Sequence, residues 1–164
     1  MKLYQLPTVD SIPDSRKRIQ TCLRRSMAYE KHQVVDWVRK HFSMEWASEC
    51  DIAFGNWPIS CYIATSQGSI LGFACYDSTS RGMFGPIGVM KSAQGQGIGR
   101  GLLLAGLHAM ASVGYAYAVI GGVGNSEFYS RVVEAMEIPG STPGIYKDRL
   151  KSETRRDWQP PELG

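Results

Sequence analysis

The sequence has few features that would commit it to a metal, a nucleic acid or a secretory route. Its four cysteines contain no CxxC pair, the spacing typical of zinc and redox sites, so we expect no metal site and reduced thiols in a cytoplasmic protein. Lys and Arg number 18 against 15 Asp and Glu, for a net charge of +3, without the clustered basic stripe of a nucleic-acid surface. The N-terminus, MKLYQLPTVD, becomes polar too early for a signal peptide.

Charge is missing altogether from one long stretch. No Asp, Glu, Lys or Arg occurs from Gly101 to Asn125, which is enough chain to span a bilayer as a helix. Several glycines, His108 and Ser112 interrupt the stretch, however. A buried helix, a turn near Gly114 and a buried strand explain this pattern better, so we expect no membrane association.

Hydrophobic spacing predicts one α/β domain over residues 1–150 and a polar tail over residues 151–164. We expect helices at Ser15–Met27, Lys31–Phe42, Gln96–Val113 and Glu127–Glu134, and an irregular Trp-rich stretch at Ser43–Pro58. We expect strands at Lys2–Leu6, Ile59–Ala64, Ile70–Tyr76, Gly82–Val89, Tyr117–Gly121, Glu137–Ile138 and Ile145–Arg149, with Gly68 turning a hairpin. This order predicts a mixed sheet, partly antiparallel and partly parallel, with flanking helices.

The stretch GQGIGRGLLLAGLHAM, beginning at Gly95, alternates glycine with other residues before a long apolar run. No Lys-Ser or Lys-Thr follows, which excludes a P-loop. The dinucleotide pattern GxGxxG also fails, because its third glycine would be Arg100 or Leu102. What remains is a nest of backbone N–H groups at a helix N-terminus, which binds anions such as a diphosphate. An ordinary strand-to-helix turn is the alternative.

The flanking residues extend this pattern. The segment IGVMKSAQGQGIGRGLLLAGL resembles the signature of the GNAT superfamily of N-acetyltransferases, a Gln or Arg followed by two spaced small residues, here Gln94, Gly97 and Gly99. The later EFYSRV, Glu127–Val132, resembles the short Phe-Tyr helix of that family. The resemblance implies the GNAT-like acetyltransferase fold, an α/β fold whose mixed sheet contains a splayed central pair of strands.

The resemblance also implies acetyl-CoA as cosubstrate. Backbone N–H groups of one loop would hold the pyrophosphate, and the residues of this loop are Gln94, Gly95, Gln96, Gly97, Ile98, Gly99 and Arg100. Ile87, Gly88 and Val89 would run beside the pantetheine arm, and Asn125 would line the slot. The residues themselves favour an unpaired strand here, because Pro86 has no N–H and Gly85 and Gly88 favour a bulge. A proline on an ordinary edge strand is the alternative.

Acetyl transfer to an amine needs a neutral amine, N–H donors for the oxyanion and a proton for the departing thiolate. Val89 or Met90 would supply the N–H donor, and the resemblance implies that Tyr129 protonates the CoA sulfur. Many relatives carry their base on the strand before the loop, but GMFGPIGVM has no carboxylate. The candidates for the base are Asp77, Glu45, Glu49 and a water relay.

We therefore expect an N-acetyltransferase that works by direct attack, without a nucleophilic cysteine. Its acceptor is a small-molecule or peptide amine, and the chain is a candidate homodimer. The residues considered for the acceptor site are Arg24, Tyr29, Trp37, Trp46, Trp57 and Tyr146, with GSTPGIY as a covering loop. Two alternatives stay open: a non-catalytic acyl-CoA-binding sensor or interaction module, and a phosphate-ligand binder unrelated to CoA.

Overall fold

Four antiparallel strands in chain order form the sheet of the computed structural model, which describes residues 1–8 and 21–150. The strands are β1 (Cys22–Arg25), β2 (Cys61–Ser66), β3 (Ser69–Tyr76) and β4 (Phe84–Val89). The helices are α1 (Lys31–His41), α2 (Met44–Gly55), α3 (Ile98–Ser112) and α4 (Ser126–Val133). The predicted α/β class is confirmed. The tail over 151–164 lies outside the described residues.

The predicted hairpin is β2–β3. Its two turn residues, Gln67 and Gly68, have φ of 47° and 76°, the left-handed pair that matches the twist of a tight hairpin. The pairing runs from Ser66 opposite Ser69 to Cys61 opposite Cys75.

Helices cover both faces of the sheet. On one face α3 buries Leu102, Leu103, Leu107 and Met110 together with Phe84 of β4. On the other face α1 and α2 pack over β2 and β3. From Gly101 to Ala111 every residue of α3 is buried or partly buried, which explains the first half of the uncharged run. No helix in the described ranges is long and apolar enough to cross a membrane.

The helix predicted at Ser15–Met27 is wrong where it can be compared. Residues 9–20 lie outside the described part, but Cys22–Arg25 form β1, which pairs with β2. The prediction depended on Ile19, Leu23 and Met27, which are four residues apart. A spacing of four fits the helical repeat, but it is also twice the strand repeat of two. The spacing therefore did not distinguish the two structures.

The stretch expected to be irregular, Ser43–Pro58, contains the helix α2. The Ser43 side chain caps it by accepting a hydrogen bond from the Trp46 N–H at 3.2 Å. Ala47, Cys50 and Ala53 form its buried face. The capping serine and the three-residue spacing of the buried residues could have predicted this helix from the sequence. The prediction gave more weight to the tryptophans of the stretch.

Four predicted strands are not formed in the described ranges. Lys2–Leu6 contains a short 3-10 helix, Leu3–Gln5, after one bridge from Lys2 to Tyr117. Tyr117–Gly121 makes only single bridges, and Ala118 alone is buried within it. Glu137–Ile138 is loop, and Ile145–Arg149 contains the end of a 3-10 helix, Gly144–Tyr146. All four strands of the sheet are consequently antiparallel. The predicted parallel pairing is present only as the isolated Met83–Val119 bridge.

Candidate active site

The outer edge of β4 is the most distinctive feature of the described sheet. At its start the Phe84 N–H donates to the Val119 carbonyl at 2.8 Å, and the Val119 N–H donates to the Gly82 carbonyl at 3.0 Å. Beyond that bridge, no described segment pairs with this edge. The expected splayed pair is therefore reduced to one strand and one bridge. The space along the outer edge of β4 beyond this bridge, which no described strand fills, is called the slot below.

The edge groups of β4 can be assigned from one hydrogen bond. The Met90 N–H donates to the Leu71 carbonyl of β3 at 2.9 Å, so it cannot be the predicted oxyanion donor. Backbone groups alternate sides along a strand. The N–H groups of Ile87 and Val89 therefore point to the outer edge, and that of Gly88 points to β3. Of the two predicted oxyanion donors, only Val89 keeps its N–H on the slot side.

The predicted bulge is present on β4. Ala74 lies opposite Ile87 and Tyr76 lies opposite Phe84, so Cys75 alone faces the two residues Gly85 and Pro86. Gly85 has φ of 127°, a conformation that favours glycine. The extra residue bends β4 at the point where it parts from residues 117–121.

The glycine loop joins β4 to α3. Gly95 and Gly97 have φ of 75° and 82°, and Gly97 is the N-cap of α3. The Gly101 N–H is bonded to the Gly97 carbonyl at 3.0 Å. The N–H groups of Ile98 and Gly99, in the first turn, consequently have no acceptor within the helix. These groups and the helix dipole favour an anion at this end of α3.

The side chains of the two glutamines in the loop donate hydrogen bonds to nearby backbone carbonyls. Gln94 Nε2 donates to the Val89 carbonyl at 3.2 Å, and Gln96 Nε2 donates to the Ser92 carbonyl at 3.4 Å. Gln94 thus ties the loop to the end of β4. The side chains of both glutamines are thus engaged within the loop, and its backbone N–H groups are the candidates for holding an anion.

Helix α4, which carries Tyr129, packs beside this loop through Phe128. A Cβ on Gly99 would lie 3.7 Å from Val89 Cγ2 and 3.8 Å from Phe128 Cζ, so α4 packs where β4 and α3 meet. The Tyr129 ring centroid is 5.0 Å from that of Phe128. Burial raises the pKa of Tyr129 above its ordinary value, and no described residue hydrogen-bonds its hydroxyl. Tyr129 is therefore a protonated donor at neutral pH.

Asn125, predicted to line the slot, is the N-cap of α4. Its Oδ1 accepts a hydrogen bond from the Phe128 N–H at 3.2 Å, and the residue is exposed. The structure therefore shows Asn125 as the cap of the helix that carries Tyr129, and its place beside the cofactor stays a prediction.

We expect Asn125→Ala to lower the free energy of unfolding by about 1 kcal/mol, the usual effect of losing an N-cap. Asn125→Asp should restore most of that loss, because a carboxylate caps equally well. Urea unfolding of the three proteins measures this. Equal stability of Asn125→Ala and the unchanged protein would contradict the capping role.

The three carboxylates considered for the base differ in exposure and in their hydrogen bonds. Both oxygens of Asp77 are occupied in the β3–β4 turn, by the Gly82 N–H at 2.7 Å and the Tyr115 hydroxyl at 3.0 Å. Glu45 is exposed in the first turn of α2. Glu49, one turn further along α2, is half-buried and accepts a hydrogen bond from the Thr79 hydroxyl.

Tyr146 joins Thr79 and Glu49 at the mouth of the slot. Its hydroxyl packs against Gly121, where a Cβ would collide with it and would lie 2.8 Å from Met83 Cε. Burial, and then the charge of Glu49, raise the pKa of Tyr146, while a hydrogen bond with Thr79 lowers it. This group lies where β4 and residues 117–121 separate. Thr79 was missed in the sequence, because a hydroxyl contact between distant elements leaves no local pattern.

The other residues considered for the acceptor site lie elsewhere. Arg24 pairs with Glu30 at 2.6 Å on β1, the sheet edge opposite β4. Tyr29 and Trp57 are 80% and 96% exposed. Trp37 and Trp46 pack with Phe42 and Phe73 under α1 and α2. Phe42 also covers Gly88 of β4, where a Cβ would lie 2.5 Å from its ring.

Comparisons with known proteins agree with this geometry. The model of the acetyltransferase (GNAT) family matches residues 31–131. The GNAT family N-acetyltransferase YhbS from Escherichia coli, solved in complex with CoA, is 20% identical with a TM-score of 0.54, and the match covers 73% of this chain and 71% of that one. A search of curated proteins found no match.

Two further structures share the fold. A GCN5-related N-acetyltransferase from Sphaerobacter thermophilus is 19% identical over 80% of this chain and 45% of its own, with a TM-score of 0.61. The aminoglycoside acetyltransferase meta-AAC0020, from an uncultured soil metagenomic sample and solved with sisomicin, is 15% identical over 72% and 91%, with a TM-score of 0.54. Because the family model spans well over half of the 164 residues, this chain belongs to the GNAT family of acetyltransferases, which use acetyl-CoA.

Proposed function

We propose that this chain transfers the acetyl group of acetyl-CoA directly to an amine in the slot beside β4. The observation that carries the proposal is the continuity of the unpaired outer edge of β4 with the glycine loop and the N-terminus of α3. One extended ligand with a diphosphate at one end and an amide-containing arm at the other fits both features.

The cofactor would lie along this path. Its diphosphate binds the N–H groups of the loop, including those of Ile98 and Gly99. Its pantetheine amides pair with the outward backbone groups of Ile87 and Val89, as a neighbouring strand would. The thioester then lies beside β4 between the bulge at Gly85 and the Val89 N–H, the proposed oxyanion donor, where Tyr129 of α4 can reach its sulfur.

The reaction consists of one substitution at the thioester carbon. The amine nitrogen forms a bond to that carbon, the carbon–sulfur bond breaks, and the thiolate of CoA takes a proton from the Tyr129 hydroxyl. The nitrogen releases a proton to solvent as the amide forms, and the Tyr129 phenolate regains a proton from solvent after CoA leaves. Since an alkylamine has a pKa of about 10, the acceptor arrives as an ammonium ion and must first be deprotonated.

Glu49 is the carboxylate that best fits this task. It is half-buried at the mouth of the slot, and the Thr79 hydroxyl orients it by donating to one oxygen, Oε1. Its other oxygen, Oε2, is available to attract the ammonium group and to accept its proton, directly or through a water molecule. Tyr146 borders the same space through Thr79 and Gly121.

Glu49→Gln should lower kcat/KM for the amine by at least about tenfold, because a positioned base typically contributes 10²–10⁴-fold and water can replace part of it. The matched control is Glu45→Gln, an exposed carboxylate one turn earlier on the same helix, which should have little effect. Steady-state kinetics with acetyl-CoA and an accepted amine measure both. Equal losses in the two variants would remove Glu49 from the mechanism.

We propose a small-molecule amine as the acceptor, and the aminoglycoside acetyltransferase that shares this fold supports this class. The test is CoA release from acetyl-CoA in the presence of a panel of amines, with the acetylated product identified by mass. A peptide with a free amine belongs in the same panel. Tight binding of CoA without turnover of any amine would favour the non-catalytic acyl-CoA sensor instead.

A further inference from the structure

Three of the four cysteines meet inside the protein, away from the slot. Cys50 lies on α2, Cys61 begins β2, and Cys75 lies opposite Cys61 on β3. Their Sγ atoms all lie within 4.8 Å of one another, with Cys50 and Cys61 at 4.0 Å. All three side chains are buried. Three soft donor atoms therefore face one point between α2 and the sheet.

The spacing suits a single metal ion. A metal bound to thiolate sulfur lies at about 2.3 Å from it, and three sulfurs at that distance around a central ion are about 4.0 Å apart. The cluster needs a shift of only a few tenths of an ångström to reach this geometry. Within residues 1–8 and 21–150, no His, Asp, Glu or further Cys joins the group. The site thus offers three ligands, all sulfur.

A second observation concerns Ser26, which is only 4% exposed. Its hydroxyl donates to Cys61 Sγ at 3.5 Å. Ser26 and Ser60 are the two buried polar residues of the described chain, so a hydroxyl directed at sulfur is unusual in this interior. Hydrogen bonds from outside the ligand set orient metal ligands and stabilise their charged form.

We infer that Cys50, Cys61 and Cys75 bind one soft, closed-shell metal ion, and that the ion is Cu(I). Thiolate sulfur selects soft ions such as Cu(I), whereas zinc in structural sites is almost always held by four ligands. Each thiol that ligates the ion loses its proton to solvent, and the copper keeps its oxidation state. The bound ion links α2, which carries Glu49, to the β2–β3 hairpin.

The absence of a CxxC pair does not argue against this site. Ligands from one local motif need close spacing in the sequence, but these three come from a helix and two paired strands. Only the fold brings them together.

The experiment presents Cu(I), as its bicinchoninate complex with ascorbate and without oxygen, to the full-length protein. The variants are Cys50→Ala, Cys61→Ala and Cys75→Ala, and the matched control is Cys22→Ser, which changes the one exposed cysteine. Colour loss from the chelator reports the copper removed, and thermal unfolding with and without copper reports its effect on stability. Incubation is overnight, because a buried site exchanges only when the structure opens locally.

We expect the unchanged protein and Cys22→Ser to remove one equivalent of copper and to melt at a higher temperature with it. Each alanine variant should remove markedly less. The inference is overturned if the unchanged protein removes none, if the alanine variants remove as much, or if Cys22→Ser abolishes uptake. X-ray absorption of the copper-loaded unchanged protein gives the number of sulfur ligands. This test does not depend on whether any variant folds. Three sulfur neighbours support the site, and any other number, or a disulfide between these cysteines, contradicts it.

Discussion

Tyr129→Phe should lower kcat about 100-fold, the lower end of the usual contribution of a general acid. The lower end applies because a thiolate leaves more easily than an alkoxide. Acetyl-CoA affinity should hardly change, since the proton is needed only in the transition state. Because burial raises the pKa of Tyr129 above its ordinary value, the hydroxyl stays protonated through neutral pH. A pH profile should therefore show no loss from Tyr129 below about pH 10.

Tyr62→Phe is the matched control for this prediction. Tyr62 is a half-buried tyrosine on β2 whose pKa is also raised by burial, but it lies two strands from the slot. Its replacement should leave kcat unchanged. Steady-state kinetics compare the three proteins once an acceptor is known. If Tyr129→Phe retains kcat within about twofold while chemistry limits the rate, the tyrosine is a packing residue only.

Gly97→Val should weaken CoA binding by about 10- to 100-fold, corresponding to the loss of one hydrogen bond to a charged group. A branched side chain at φ of 82° is strained, so the loop will move and its N–H groups will no longer converge on the diphosphate. Calorimetric titration of CoA measures the affinity of both proteins.

Gly114→Val is the matched control, because it strains the backbone at a position far from the glycine loop. Gly114 has φ of 102° with open space around its Cα, and it follows the other end of α3. The substitution introduces comparable strain far from the loop, so stability should fall while CoA affinity persists. If Gly97→Val binds CoA as tightly as the unchanged protein, the loop is not part of the cofactor site.

Local patterns predicted the parts of the fold that local interactions determine. The hairpin followed from alternation around Gly68, and α3 followed from an apolar run after Gly97. The strand predictions for the edge segments were wrong, because strand formation there depends on pairing with a neighbouring strand. Tyr117–Gly121 has the composition of a strand, but only Val119 finds a neighbour on β4.

In the candidate site too, features set by local sequence were predictable and contacts between distant residues were not. The bends of the loop and the bulge were predictable, because glycine permits positive φ and proline fixes φ and has no N–H. The hydrogen bonds from Met90 to Leu71 and from Thr79 to Glu49 were not, because they join residues distant in the sequence. The proposal of Glu49 as the base depends on the fold, which shows that both oxygens of Asp77 are hydrogen-bonded.

The open edge of β4 has a consequence for handling the protein. An unpaired strand edge is a template for the same edge on another molecule, and proteins usually protect such edges with charge or proline. Here Pro86 and the bulge protect only the first half of β4, and Ile87 to Val89 are uncharged. The cofactor would cover that remaining half and act as the missing neighbour. We therefore expect CoA to act as a solubilising ligand as well as a substrate, and preparations stripped of it to aggregate through this edge.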